Sequence, residues 1–181
     1  DALPILACFT TSLERFHEWC ICVLSKECDI EFEHLDKTWK YVKNQSERQL
    51  GAFYFLYLLK FKHAPTMLDD KKTSFRNSVI HKGYIPKYEE TFEYGEYVLE
   101  YIRTIQNKLV TICSTSILEV SMHRIEILHK KYGGQSRIST MSETSILGLN
   151  CNEEKHKKMT FSDALEYINE RNKMLLSSTS K

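Results

Sequence analysis

From Ala2 to about Lys26 the apolar residues Leu3, Leu6, Phe9, Leu13, Phe16, Cys20, Val23 and Leu24 recur at three- and four-residue spacing. That period predicts an amphipathic helix, and Pro4 suits its first turn. A charged link through Asp29 to Asp36 leads to a second long helix over about 34–62, which opens with Trp39 and Val42. It crosses a polar stretch, Asn44 to Gln49, and becomes nearly all apolar from Phe53 to Leu59. A run that dense predicts burial on most sides.

Pro65 interrupts the pattern. A shorter third helix is expected from Thr66 to His81, stopping before Gly83, where a left-handed cap belongs. Pro86 with Glu89 and Glu90 then marks a helix start, proline at an opening position and acids in the first turn. This fourth helix carries Phe92, Tyr94, Tyr97, Val98, Tyr101, Ile102, Ile105 and Leu109. Its period continues to Leu128 through a bend expected near Ser114-Thr115-Ser116, and Gly133-Gly134 ends it. A polar segment follows, with one extended-looking patch from Ser145 to Leu149, and a last helix is expected from Thr160 or Ser162.

The fold class expected is therefore all-α. Six glycines and three prolines leave little of the turn punctuation that a sandwich or barrel requires. The 181 residues suffice for one well-cored domain. We expect a helical bundle over 1–134, with 135–181 a polar loop and C-terminal helix appended to the same domain.

Charge adds a limit. The 25 Lys and Arg nearly cancel the 24 Asp and Glu, so a polyanion has to be held by a local patch, not by the field of the whole protein. No uncharged apolar run approaches the roughly 18 residues of a spanning helix, and the N-terminus lacks the basic flank of a signal peptide. A soluble cytoplasmic protein without membrane partners is expected. The cysteines at 8, 20, 22, 28, 113 and 151 lie mostly in apolar helical stretches, which favours reduced thiols. His17, Cys20, Cys22 and Cys28 invite a zinc reading, but Cys20 and Cys22 lie about 200° apart on a helix and do not converge. No metal and no cofactor are expected.

The chemistry-bearing run closes the third helix: Arg76-Asn77-Ser78-Val79-Ile80-His81-Lys82-Gly83-Tyr84-Ile85-Pro86. Asn77 and His81 are four apart and share a helix face, with Arg76 one step around the same polar edge. Val79 and Ile80 are expected to face inward. RNA transesterification needs a base for the 2′-hydroxyl, an acid for the leaving 5′-oxygen, and positive charge at the phosphorane. Histidine serves either proton role near neutrality, and the arginine fork suits phosphate oxygens. One chain offers one of each here, and a two-fold dimer apposing two third helices doubles the set.

Arg-Asn-x3-His at the end of a late helix, followed by Gly-Tyr-Ile-Pro and a long helix, resembles the HEPN family, in which Arg-x4-6-His is the ribonuclease signature. The match covers about residues 50 to 110. The resemblance implies an up-and-down bundle of about four to five helices that dimerises with both motifs on one cleft. It also implies metal-independent endoribonuclease activity in toxin, anti-phage or CRISPR-associated roles, with RNA, a second copy, and an antitoxin or larger effector complex as partners. The catalytic residues it assigns are Arg76, Asn77 and His81. The related toxins with a modified tyrosine resemble Arg-x4-His-x-Tyr; here Tyr84 stands one residue further on, and packing against the fourth helix is the role expected of it. A catalytically silent module of the same family, binding RNA, a nucleotide or a partner protein, is the alternative.

Around the motif, Lys71, Lys72, Lys82 and Lys87 are candidates to grip phosphates, with ordinary solvation as the competing reading. Tyr84 and Tyr88 are candidate stacking platforms for unpaired bases; the other aromatics of the fourth helix fit core or interface better. Lys155-His156-Lys157-Lys158 is read as a solvated loop. Seven arginines and seven histidines give about 0.3 chance Arg-x4-His matches per chain, and a second match does occur, Arg124 to His129. An apolar residue follows that arginine and no Gly-Tyr-Ile-Pro turn follows the histidine, so it is read as a solvated helix edge.

Overall fold

The structure, a computed structural model, describes residues 2–133 and 159–178. Those residues form seven helices and no strand: α1 (Ala2–Lys26), α2 (Phe32–Val42), α3 (Ser46–Phe61), α4 (Asp70–Lys82), α5 (Tyr88–Ile112), α6 (Ser114–Tyr132) and α7 (Phe161–Ser178). The described residues are all-helical, as periodicity led one to expect, but form seven helices where about four to five were expected. The patch at Ser145–Leu149 and the basic run at Lys155–Lys158 lie outside the described residues.

Helix α1 is the central element. Its stripe of Leu6, Leu13, Cys20, Val23 and Leu24 is buried, and it packs against α3, α4, α5 and α6. From α3 it receives Phe53 and Tyr57, the largest fully buried side chains, and from α5 Tyr94, Val98, Ile102 and Ile105. Truncating a buried phenylalanine such as Phe53 to alanine costs about 3–5 kcal/mol, so the α1–α3–α5 junction holds the fold.

Three expected elements differ in their ends. The helix expected over 34–62 is two helices, because Gln45 is extended (φ −137°, ψ 121°) and caps α3. Side chains from the start of α3 satisfy the carbonyls left at the end of α2: Arg48 Nη1 donates to Tyr41 O (3.1 Å) and Gln49 Nε2 to Lys43 O (2.9 Å). The polar stretch inside the expected helix is thus its break. The third helix begins at Asp70, not Thr66, since two tyrosine hydroxyls hold the preceding backbone. Leu68 N donates to Tyr54 Oη (3.1 Å) and Asp69 N to Tyr97 Oη (2.7 Å), and Asp69 then caps α4 by accepting from Lys72 N (2.9 Å). The fourth helix ends at Cys113 (φ −112°, ψ 30°), which serves both as the last cap of α5 and the first of α6.

The dense apolar run of α3 is not buried on most sides. Phe53 and Tyr57 are fully inside, while Phe55 (70 %) and Leu59 (59 %) stand in solvent. They line an open apolar groove between α2 and α3 together with Leu35 and Trp39. Helix α2 buries only Leu35, too little to cover that face.

Helix α7 returns to α5 through a second, smaller cluster of Leu99, Met159, Phe161 and Ala164. Gly95 makes room for this packing: a Cβ there would lie 2.7 Å from the Phe9 ring and 2.8 Å from Phe161. Among the described residues, no helix is long and apolar enough to cross a membrane.

Candidate functional site

Helix α4 carries the motif and ends as its sequence requires. Gly83 adopts φ 73°, which costs a side-chain-bearing residue more than glycine. The Gly83 and Tyr84 amides both donate to Ser78 O, the latter at 3.1 Å. Val79 is buried and fixes the helix to the core. Ile80 is not: it lies about 100° further round and is exposed, a correction to the expectation that both residues face inward.

Arg76 is held on two sides. Its Nη2 meets Glu14 Oε1 of α1 at 2.9 Å, and its Nη1 donates to Asn77 Oδ1 at 2.9 Å. The Arg76 side chain is only 16 % exposed, against 38 % for Glu14. Arg76 and Asn77 border a cleft of about 100 Å³ between α1, the start of α3, α4 and α5. Its apolar lining includes Leu13, Leu50 and Leu68, and its aromatic lining Tyr94 and Tyr97.

His17 of α1 lies at the buried end of this cleft. Its Nε2 is 3.2 Å from Tyr101 Oη and its ring stacks on Phe53 with centroids 5.2 Å apart. Burial lowers its pKa from 6.5 to about 4, so the ring is neutral at physiological pH.

His81 is placed differently. It sits about 6 Å along the helix from Asn77, exposed and outside the cleft, with no partner among the described residues. The structure therefore brings Arg76 and Asn77 together and leaves His81 on the outer surface of the same helix end. Near it in sequence, Ile80, Ile85 (81 %) and Tyr88 (65 %) are exposed, as are Lys82 and Lys87.

The candidate phosphate and base contacts divide as well. Lys72 is half-buried at the cleft, 3.4 Å from Glu93 Oε2. Lys82 and Lys87 are exposed and have no carboxylate within ion-pair distance among the described residues. Lys71 and Lys72 share a shallow groove with Asp69, Glu90 and Glu93, so its charge is mixed. Tyr84 packs edge-on against Phe75 (6.2 Å) and its hydroxyl donates to both Glu90 oxygens (2.9 and 3.0 Å), tying the turn to α5. The Glu90 carboxylate raises the Tyr84 pKa, and the Lys87 amide it accepts lowers its own. Tyr94 and Tyr101 are core residues, whereas Tyr88 is open to solvent.

Glu14 and His17 were not assigned to this site by sequence reasoning, which considered His17 only for zinc. Their signal was present: Thr10, Glu14 and His17 interrupt an apolar stripe at four- and three-residue spacing, polar groups carried to one side of a central helix. The second Arg-x4-His match lies on α6 with Arg124 and His129 exposed. Among the described residues no group of three or more His, Cys, Asp or Glu side chains is arranged to hold a metal ion, and Cys8, Cys20, Cys22, Cys28 and Cys113 are free thiols. Comparison with known protein families, curated proteins and solved structures finds no match.

Proposed function

We propose that this protein is a metal-independent endoribonuclease acting as a homodimer, with two α4 ends contributing to one active site, in a toxin or anti-phage role. The observation that carries this reading is the split arrangement of the motif. Arg76 is held by Glu14 and Asn77 on the lining of a cleft, while His81, further along the same helix, is exposed outside it. An exposed histidine on a helix end that also exposes Ile80, and is followed by exposed Ile85 and Tyr88, suits a group completed by a second copy.

In this reading the groups divide the chemistry between them. One His81 takes the proton of the 2′-hydroxyl as its oxygen attacks phosphorus, and the partner's His81 gives a proton to the departing 5′-oxygen. Arg76 neutralises the charge that builds on the phosphorane, and Asn77 positions the guanidinium. The products are a 2′,3′-cyclic phosphate and a 5′-hydroxyl.

The test is incubation with labelled single-stranded RNA in EDTA. Cleavage should proceed undiminished, and a 2′-deoxy substitution at the cut site should block it. Activity that needs added magnesium or manganese, or equal cleavage of DNA, contradicts the mechanism.

One observation favours a second reading, a silent module that binds RNA or a nucleotide. Arg76 already has a carboxylate partner in Glu14, which suits holding a ligand as well as turning one over. RNA binding without cleavage in the same assay selects it.

A further inference from the structure

We propose that the cleft beside Arg76 is a nucleobase pocket, which receives the base of one unpaired nucleotide while Arg76 holds an adjoining phosphate. This deepens the RNA reading above and rests on it.

The lining fits that ligand. A base offers two flat faces and a polar edge, and proteins that take up unpaired bases provide apolar or aromatic walls with a few polar groups behind them. Here Leu13, Leu50 and Leu68 supply apolar surface, Tyr94 and Tyr97 supply rings, and His17 supplies a neutral polar end. Tyr97 is held by its hydroxyl, which accepts from Asp69 N at 2.7 Å, and Tyr94 by its burial in the core. A pocket fixed before the ligand arrives loses less entropy on binding.

Size selects a single ring system. A water needs roughly 10–15 Å³ of such space, so a cleft of about 100 Å³ is several waters deep. It is far too narrow for a duplex, whose grooves are read from outside. The occupant is therefore a nucleotide from a single strand, loop or end.

Arg76 and Lys72 are the cations on the cleft lining, which also carries Glu14 and Glu47. Arg76 commits one contact to Asn77 and one to Glu14, and a guanidinium carries more N–H donors than those two contacts use. Phosphate can thus be bound with the Glu14 contact intact.

The experiment titrates the four ribonucleoside 5′-monophosphates and ribose 5-phosphate into the full chain, following the His17 ring signals by NMR. At least one nucleotide should shift those signals and bind about tenfold or more tightly than ribose 5-phosphate. Leu50→Trp and, at the exposed rim, Thr73→Trp should remove that advantage and leave ribose 5-phosphate binding unchanged. Folding of both variants is checked by circular dichroism, and Thr73→Trp alone suffices if Leu50→Trp fails to fold. Equal affinity for nucleotides and ribose 5-phosphate, or folded variants that keep the preference, overturns the pocket. Nucleotide binding without RNA cleavage supports the pocket and overturns the nuclease reading. Cleavage by a protein whose His17 signals do not respond to any nucleotide does the opposite.

Discussion

Two stretches of this chain share the spacing Arg-x4-His and differ in almost everything else. Arg76 begins a run that closes a helix: its guanidinium is mostly buried and fixed by Glu14 and Asn77, and Gly83 ends the helix two residues after His81. Arg124 begins a run inside α6, where Arg124 and His129 are both exposed and the helix continues to Tyr132. Spacing fixes only the angle between two side chains on a helix. What makes one pair a candidate site is the helix across from it, since α1 brings a carboxylate to Arg76 and a buried histidine to the same cleft, whereas Arg124 makes no ion pair among the described residues.

The largest expected effect is that of His81→Ala. Loss of a proton-transfer group costs about 10²- to 10⁴-fold in turnover, and His129→Ala should leave turnover within a few-fold. Should the folded His81 variant cleave normally, or the His129 variant be the inactive one, the comparison has been drawn the wrong way round.

Arg76→Ala should cost about 10²- to 10³-fold in cleavage and weaken RNA binding more than His81→Ala does, because the arginine alone is permanently charged. Binding isotherms for both variants, read beside the rates, separate a lost phosphate contact from a lost proton relay.

Acid should strike the first region through His17. Its native pKa of about 4 lies below the ordinary 6.5, so the unfolded chain binds the proton first. Stability conferred by the neutral buried ring is complete above the upper value and falls as pH drops toward the lower, by up to about 3 kcal/mol. Urea unfolding across that range should show the loss in the native protein, and His17→Gln should flatten it. An unchanged slope in the variant means that other groups drive the acid sensitivity.

The smallest expected effect is Arg124→Ala, for which thermal unfolding should register a change within about 0.5 kcal/mol, as for most exposed surface positions. Arg76→Ala in the same measurement should cost about 1 kcal/mol, since it strips Glu14 of its partner. If the two variants melt alike, the Glu14 contact contributes nothing to the folded state.

Helix type and the cap at Gly83 were legible in the sequence because both are local: a period of apolar positions and one residue that tolerates positive φ. The break at Gln45 and the late start at Asp70 were not, because each depends on a distant or sequence-neutral partner. Tyr54 and Tyr97 hold the backbone at Leu68 and Asp69 from two other helices, and no pattern within 64–70 announces them. The exposure of Phe55 and Leu59 was misread for a related reason, as apolar density says how much surface seeks cover and not how much cover α2 provides. Arg76 and Asn77 were legible as a pair, whereas Glu14 and His17 joined them only through the packing of α1 on α4 and α5.

The joint at Cys113 has a kinetic consequence. One residue links two long helices with no loop between them, and its thiol is fully buried, with burial pushing its pKa up to about 11. A thiol in that state is inert until the joint opens. Cys8 and Cys28 are exposed, while Cys20 is fully buried in the middle of α1. Under excess alkylating reagent the thiols should therefore react in an order set by local opening free energies, from the fraying surface to the global unfolding limit. Mass spectrometry of the labelled chain would place the α5–α6 junction on that scale, with Cys28 as its fast bound and Cys20 as its slow one.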